Sequence, residues 1–170
     1  MTSLILTVAG ADRPGLVSAV ADIVDAHGGN WENSQLAELG GTFAGVIEVS
    51  VVPEHIDELQ AALRGLDGLL TVTVHEGADA AAPRDDAQRL SITVLGNDRP
   101  GIVREISGVL NTHALSIESM TTETRDAAMA GGRLFESIVT ATVPASADLG
   151  ALRAALERLA AEIQVDITLD

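Results

Sequence analysis

One six-residue stretch occurs twice: Gly10-Ala11-Asp12-Arg13-Pro14-Gly15 and Gly96-Asn97-Asp98-Arg99-Pro100-Gly101. Asp12 and Asp98 stand 86 residues apart in a chain of 170. Each copy therefore lies near the start of one half, and any fold open to one half must be open to the other.

The flanks of the two copies match as well. Leu4-Ile5-Leu6-Thr7-Val8-Ala9 and Leu90-Ser91-Ile92-Thr93-Val94-Leu95 are short, β-branched apolar runs closed by a glycine, and both read as strands. Past the loop, Leu16, Val17, Val20, Ile23 and Val24 recur at helical spacing, as do Ile102, Val103, Ile106, Val109 and Leu110. Proline in the first turn, with Asp12 or Asp98 before it, is a helix-start signal, and each aspartate is expected to cap free amides. The helices are expected to end near His27 and His113.

Extended stretches follow at Trp31 to Leu39 and Thr42 to Val52, joined by Gly40-Gly41, which suits a tight hairpin. The second half repeats them at Ser116 to Thr124 and Arg133 to Val143, with a longer connection over 125–132 that is expected to be mobile. Second helices are expected after Pro53 and Pro144, and last strands at Leu69 to His75 and Ile163 to Leu169. Each half thus reads β-α-β-β-α-β: residues 1–76 form one domain and 89–170 another, and the small and charged residues of 77–88 form a linker. The expected class is α+β, with four-stranded antiparallel sheets carrying both helices on one face. Strands two and four are left as edges, and pairing an edge of one domain with an edge of the other would give one continuous sheet.

Composition narrows the chemistry. All ten basic residues are arginine, which removes a Schiff-base lysine and the lysine of a phosphate-binding Walker loop. A net charge of −15, with Trp31, Phe43 and Phe135 as the aromatic residues, disfavours direct nucleic-acid binding. No apolar run approaches the roughly 20 residues of a membrane span, and no cysteine is present, so a cytoplasmic protein is expected. The four histidines include no i, i+4 pair, so neither a metal nor any other cofactor is expected; His27 and His113 read instead as partners of helix C-termini. With no nucleophile elbow, dinucleotide fingerprint or zinc-protease motif, no enzyme is expected.

Two β-α-β-β-α-β units, each with an Asp-Arg-Pro-Gly loop after its first strand, resemble a tandem pair of ACT domains, small-molecule-sensing modules of ferredoxin-like fold. A free-standing pair is most similar to the glycine cleavage system transcriptional regulator group. In serine-binding relatives, an Asn of this loop and an Asn at the start of the second strand hold an amino acid between adjacent domains. The resemblance carries those roles to Asp12 and Asp98 and, eighteen residues later, to Asn30 and Ser116, of which Asn30 keeps the residue type.

The expected ligand site follows from this. Amides around Gly15 and Leu16, and around Gly101 and Ile102, would meet an α-carboxylate at the positive end of a helix, and Asp12 or Asp98 would meet the ammonium. Ala11 and Asn97 line the two loops, and only the second is polar. The plainer alternative is that each loop starts a helix, with aspartate capping and glycine allowing close packing. Beside each loop the second strand is expected to offer polar groups, Asn30, Glu32, Asn33 and Ser34 in one half and Ser116, Glu118 and Ser119 in the other, most of which read as the solvated face of an alternating strand. The functional expectation is a regulator that binds a small amino acid, glycine or serine first, and acts through a protein partner, possible homodimer formation included. The alternative is an interaction or dimerisation module without a small-molecule ligand.

Overall fold

A computed structural model describes residues 1–77, 88–127 and 131–170 of the chain. The chain divides into two compact units, Met1–Pro83 and Arg84–Asp170. The first contains β1 (Thr2–Ala11), α1 (Leu16–Ala26), β2 (Asn30–Leu39), β3 (Thr42–Val51), α2 (Ile56–Arg64) and β4 (Thr71–Glu76). The second contains β5 (Gln88–Asn97), α3 (Ile102–Thr112), β6 (Ser116–Asp126), β7 (Arg133–Val143), α4 (Leu149–Ile163) and β8 (Val165–Leu169). Strand orders are β2-β3-β1-β4 and β6-β7-β5-β8, and every neighbouring pair is antiparallel. Strands two and four of each unit are its edges, as expected.

Alternation explains which face of each sheet is covered. Leu4, Leu6 and Val8 of β1 and Ile47, Val49 and Val51 of β3 point one way and are buried with Leu16, Val20 and Val24 of α1 and Leu59 and Leu63 of α2. Each such side chain stabilises the unit by roughly 1.5–3 kcal/mol relative to exposure. Ile92, Val94, Val139 and Ala141 form the matching layer under Ile106 and Leu110 of α3 and Leu152 and Leu156 of α4. The opposite faces carry Ser, Thr and charged side chains, together with Val46 and Ile138, which are 45% and 47% exposed at equivalent positions of β3 and β7.

Several boundaries differ from the expectation for local reasons. Ile163 is the last residue of α4 and not the first of β8, because Leu152, Leu156, Leu159 and Ile163 are all buried at helical spacing. Gln164, with φ 56°, then turns the chain out of the helix. Leu69 and Leu70 precede β4, and Leu70 is fully buried in the core. Gly40 and Gly41 have φ of 60° and 81°, as a primed hairpin turn requires. In the second unit Arg125 and Asp126 belong to β6, so the connection is shorter than expected, and residues 128–130 lie outside the described residues. The expected linker at 77–88 falls largely there too. Gly77 still donates to Ser3 O at 2.9 Å, and Gln88 already belongs to β5.

Candidate functional site

Gly15 and Gly101 give the repeated loops their shape. Each stands immediately before its helix with φ of 91° and 94°, a left-handed conformation costing other L-residues roughly 1–2 kcal/mol. A Cβ on Gly15 would meet nothing within 4 Å, so the requirement is one of backbone conformation and not of close packing. The expected aspartate caps are not formed: among the described residues neither α1 nor α3 receives a side-chain hydrogen bond at its start, and the prolines lie outside the helices, just before the glycines. The glycine carbonyls take the first helical bonds, from Ala19 at 2.9 Å and Glu105 at 3.0 Å. In α4, by contrast, Asp148 accepts from the Ala151 amide at 3.0 Å.

The aspartates serve the sheet through their main chain. Asp12 N donates to Gly41 O at 2.9 Å and Asp98 N to Arg133 O at 2.8 Å, extending the β1–β3 and β5–β7 ladders by one bond. Both carboxylates are left exposed beside an uncapped helix start, along with Ala11 and Asn97. Leu16 and Ile102 are buried at 2% exposure, so they can offer a ligand only their main chain. The second loop is braced by an ion pair between Arg99 and Glu105, where the first unit has Arg13 and Ala19.

Asn30 and Ser116 lie elsewhere in their units. Asn30 pairs with Ser50, which pairs with Ser3, nine residues before Asp12; Ser116 pairs with Thr142, and that with Arg89, nine residues before Asp98. At about 3.3 Å per residue, loop and strand start are roughly 30 Å apart, at opposite ends of one sheet. The expectation that a polar second strand flanks its own loop is thus not met; the hairpin end of that strand does so instead. One small ligand cannot reach both groups of the same unit.

Both second strands carry a β-bulge at the same place, between Trp31 and Asn33 and between Ile117 and Ser119. The extra residue is a glutamate each time. Glu32 accepts from Ser50 Oγ at 2.5 Å and from Asn30 Nδ2 at 2.9 Å, and Ser50 first and Asn30 second hold its carboxyl below the usual glutamate value. Glu118 accepts from Thr142 Oγ1 and pairs with Arg89 Nε at 3.0 Å; the Thr142 bond is the main cause of its lowered value. Next to the first bulge, Asn33 and Ser3 both donate to Glu48, at 2.8 and 3.0 Å. Sequence reasoning placed these glutamates on a solvated face and missed their organisation.

A groove of about 630 Å³ runs beside Ser116, lined by Arg104, Ser107, Asn111 and Leu115, and another of about 500 Å³ lies on the open face over Asn33 and Glu48. His27 Nδ1 lies 2.8 Å from Ile23 O at the end of α1, and His55 Nδ1 lies 3.0 Å from His27 O. Among the described residues, no three His, Asp or Glu side chains gather where they could hold a metal, and no helix is long and apolar enough to cross a membrane.

Comparison with known proteins places this architecture. Over 94% of its length the chain is 28% identical to the glycine cleavage system transcriptional repressor of Escherichia coli (strain K12), spanning 85% of that protein. The crystal structure of an unknown protein from Galdieria sulphuraria superposes with a TM-score of 0.89 at 30% identity, covering 99% of this chain and 97% of the other. A structure described as that of a candidate glycine cleavage system transcriptional repressor shares the fold, with a TM-score of 0.70 at 20% identity, covering 99% and 96%. Residues 2–75 and residues 90–160 each match the ACT domain, and the chain belongs to the ACT-domain family as a tandem pair related to the glycine cleavage repressor.

Proposed function

We propose that this protein is a regulator that binds a small amino acid, glycine or serine first, and passes the signal to a protein partner, in control of glycine cleavage gene expression. The observation that carries this reading is the duplicated helix start. In each unit a left-handed glycine leaves first-turn amides without a side-chain cap, beside an exposed aspartate. Such a start offers donors and a positive dipole end to a carboxylate, and the aspartate an acceptor for an ammonium.

Antiparallel pairing of the β2 or β6 edge with the same edge of another ACT unit, in this chain or a second copy, would bring a strand start level with a facing loop. Asn30 or Ser116 would then complete the loop of its neighbour, and the ligand would lie between domains. The relationship to a transcriptional repressor supports the pathway. The charge of −15 argues that the output passes through a protein and not through direct DNA contact.

Titration calorimetry with the twenty amino acids, backed by melting temperatures, tests the reading. Selective heat from one or two small amino acids, with a rise in melting temperature, is the expected outcome, since a ligand of the folded state must stabilise it. Asn30→Ala should weaken that binding and lower the melting temperature of the unliganded protein only slightly, through the lost bond to Glu32. Neither heat nor a shift from any amino acid would remove the reading. It would leave the second one, an interaction module, which the matched exposure of Val46 and Ile138 on the two open sheet faces favours.

A further inference from the structure

We propose that Glu32 is a positioning residue that fixes the Asn30 amide with its carbonyl oxygen outward, so that the start of β2 receives an ammonium group and the start of β6 does not. This assignment rests on the amino-acid-binding reading above and specifies which end of the ligand goes where.

The bulge is what brings the two side chains together. With Glu32 as the extra residue, Asn30 Nδ2 reaches Glu32 Oε1 at 2.9 Å, and Ser50 Oγ holds the same oxygen from β3. An ionised carboxylate can only accept, so the half of the amide that faces it must be the NH2 group. Asn30 Oδ1 is left as an acceptor, and Glu32 Oε2 takes no hydrogen bond among the described residues. Two acceptors and a negative charge suit an ammonium, which has three donors and no acceptor, and repel a carboxylate. The ligand would thus present its amino group to the β2 start and its carboxylate to the helix amides of the facing loop.

The second unit has the same bulge and the same glutamate, with different neighbours. Thr142 stands where Ser50 does, but Arg89 replaces Ser3 and pairs with Glu118. Ser116 replaces Asn30 and makes no side-chain bond to Glu118 among the described residues, so nothing sets its hydroxyl as donor or acceptor. Charge there is balanced internally, and no acceptor is pre-set.

The test compares wild type, Glu32→Gln and Glu118→Gln in the full chain, by calorimetry with glycine and serine and with glycolate and glycerate, which carry a hydroxyl in place of the ammonium. Glu32→Gln, whose side chain can also donate, should lower affinity for the amino acid about tenfold or more. It should leave the weak binding of the hydroxy acid within twofold, and lower the unliganded melting temperature by no more than Glu118→Gln does, since both glutamates accept hydrogen bonds in the folded state. Glu118→Gln should leave both affinities within twofold. In NMR spectra the two Asn30 side-chain NH protons should be well separated in wild type and draw together in Glu32→Gln, which a purely structural role would not require. Wild-type binding of glycine or serine combined with an unaffected Glu32→Gln, or an equal loss in Glu118→Gln, overturns the assignment. Failure of wild type to bind any amino acid overturns the sensor reading itself, and the assignment with it.

Discussion

At the start of the first helix the two units share one backbone, to which the second adds the Arg99–Glu105 pair, and at the start of the second strand their side chains part. Both loops hold glycine at φ near 90°, both aspartate amides close one further ladder bond, and both helices begin uncapped. At the strand start, Asn30, Ser50 and Ser3 in one unit stand against Ser116, Thr142 and Arg89 in the other. What the copies share is therefore what the backbone demands, and what they do not share is the side-chain chemistry a ligand would meet. Beneath the sheets the copies differ again: the Leu36–Gly45 pair is matched by Thr122–Ser137.

That inner pair gives the largest test of the comparison. A Cβ on Gly45 would overlap the Gln35 carbonyl and come within 2.8 Å of Leu36 Cα, both backbone, so Gly45→Ser cannot be relieved by a rotamer change. Borrowing the second unit's residue this way should cost roughly 3 kcal/mol, read by chemical denaturation. Ser137→Ala should be neutral or stabilising by about 1 kcal/mol, because the Ser137 hydroxyl is buried and finds no partner among the described residues. A neutral Gly45→Ser would mean the two inner layers are interchangeable after all.

Next in size are Gly15→Ala and Gly101→Ala, each expected to cost about 1–2 kcal/mol in thermal or denaturant unfolding, with asparagine milder at both positions. Since a Cβ at Gly15 has open space around it, a loss there reports backbone conformation alone. Unequal costs in the two units would break the equivalence of the loops.

The smallest effect is in acid. Glu32 and Glu118 both ionise more readily folded than unfolded, so the stability each contributes is present above the ordinary value of 4.5 and is lost as pH falls through the lowered folded value. Carboxyl NMR titration should find both values lowered. About 1 M salt should raise the Glu118 value, where Arg89 adds a screened attraction to the Thr142 bond, and leave Glu32, held by Ser50 and Asn30, nearly unmoved. Equal salt responses would contradict the pairing seen in only one unit.

Element order was legible because apolar spacing and glycine are local signals: Leu16, Val20 and Val24 announce α1, and Gly40-Gly41 its hairpin. The loop's own chemistry was legible only in composition. Aspartate before proline reads as a cap, but Gly15 and Gly101, by taking the left-handed position, become the residue before the helix and displace it. The separation of Asn30 from its loop depends on strand register, which pairs residues distant in sequence and leaves no local mark. The bulge did leave one. Trp31 and Leu36 both pack on the core although five residues apart, and strict alternation cannot put both on one face.

The bonds from Asp12 to Gly41 and from Asp98 to Arg133 tie each loop to the return of the neighbouring hairpin. A carboxylate drawn onto the helix start would steady a segment whose outer anchor is that hairpin. The protection of those two amides against solvent exchange would then rise on occupancy. Those two amides would thus report the occupancy of their own loop through its anchor on the hairpin.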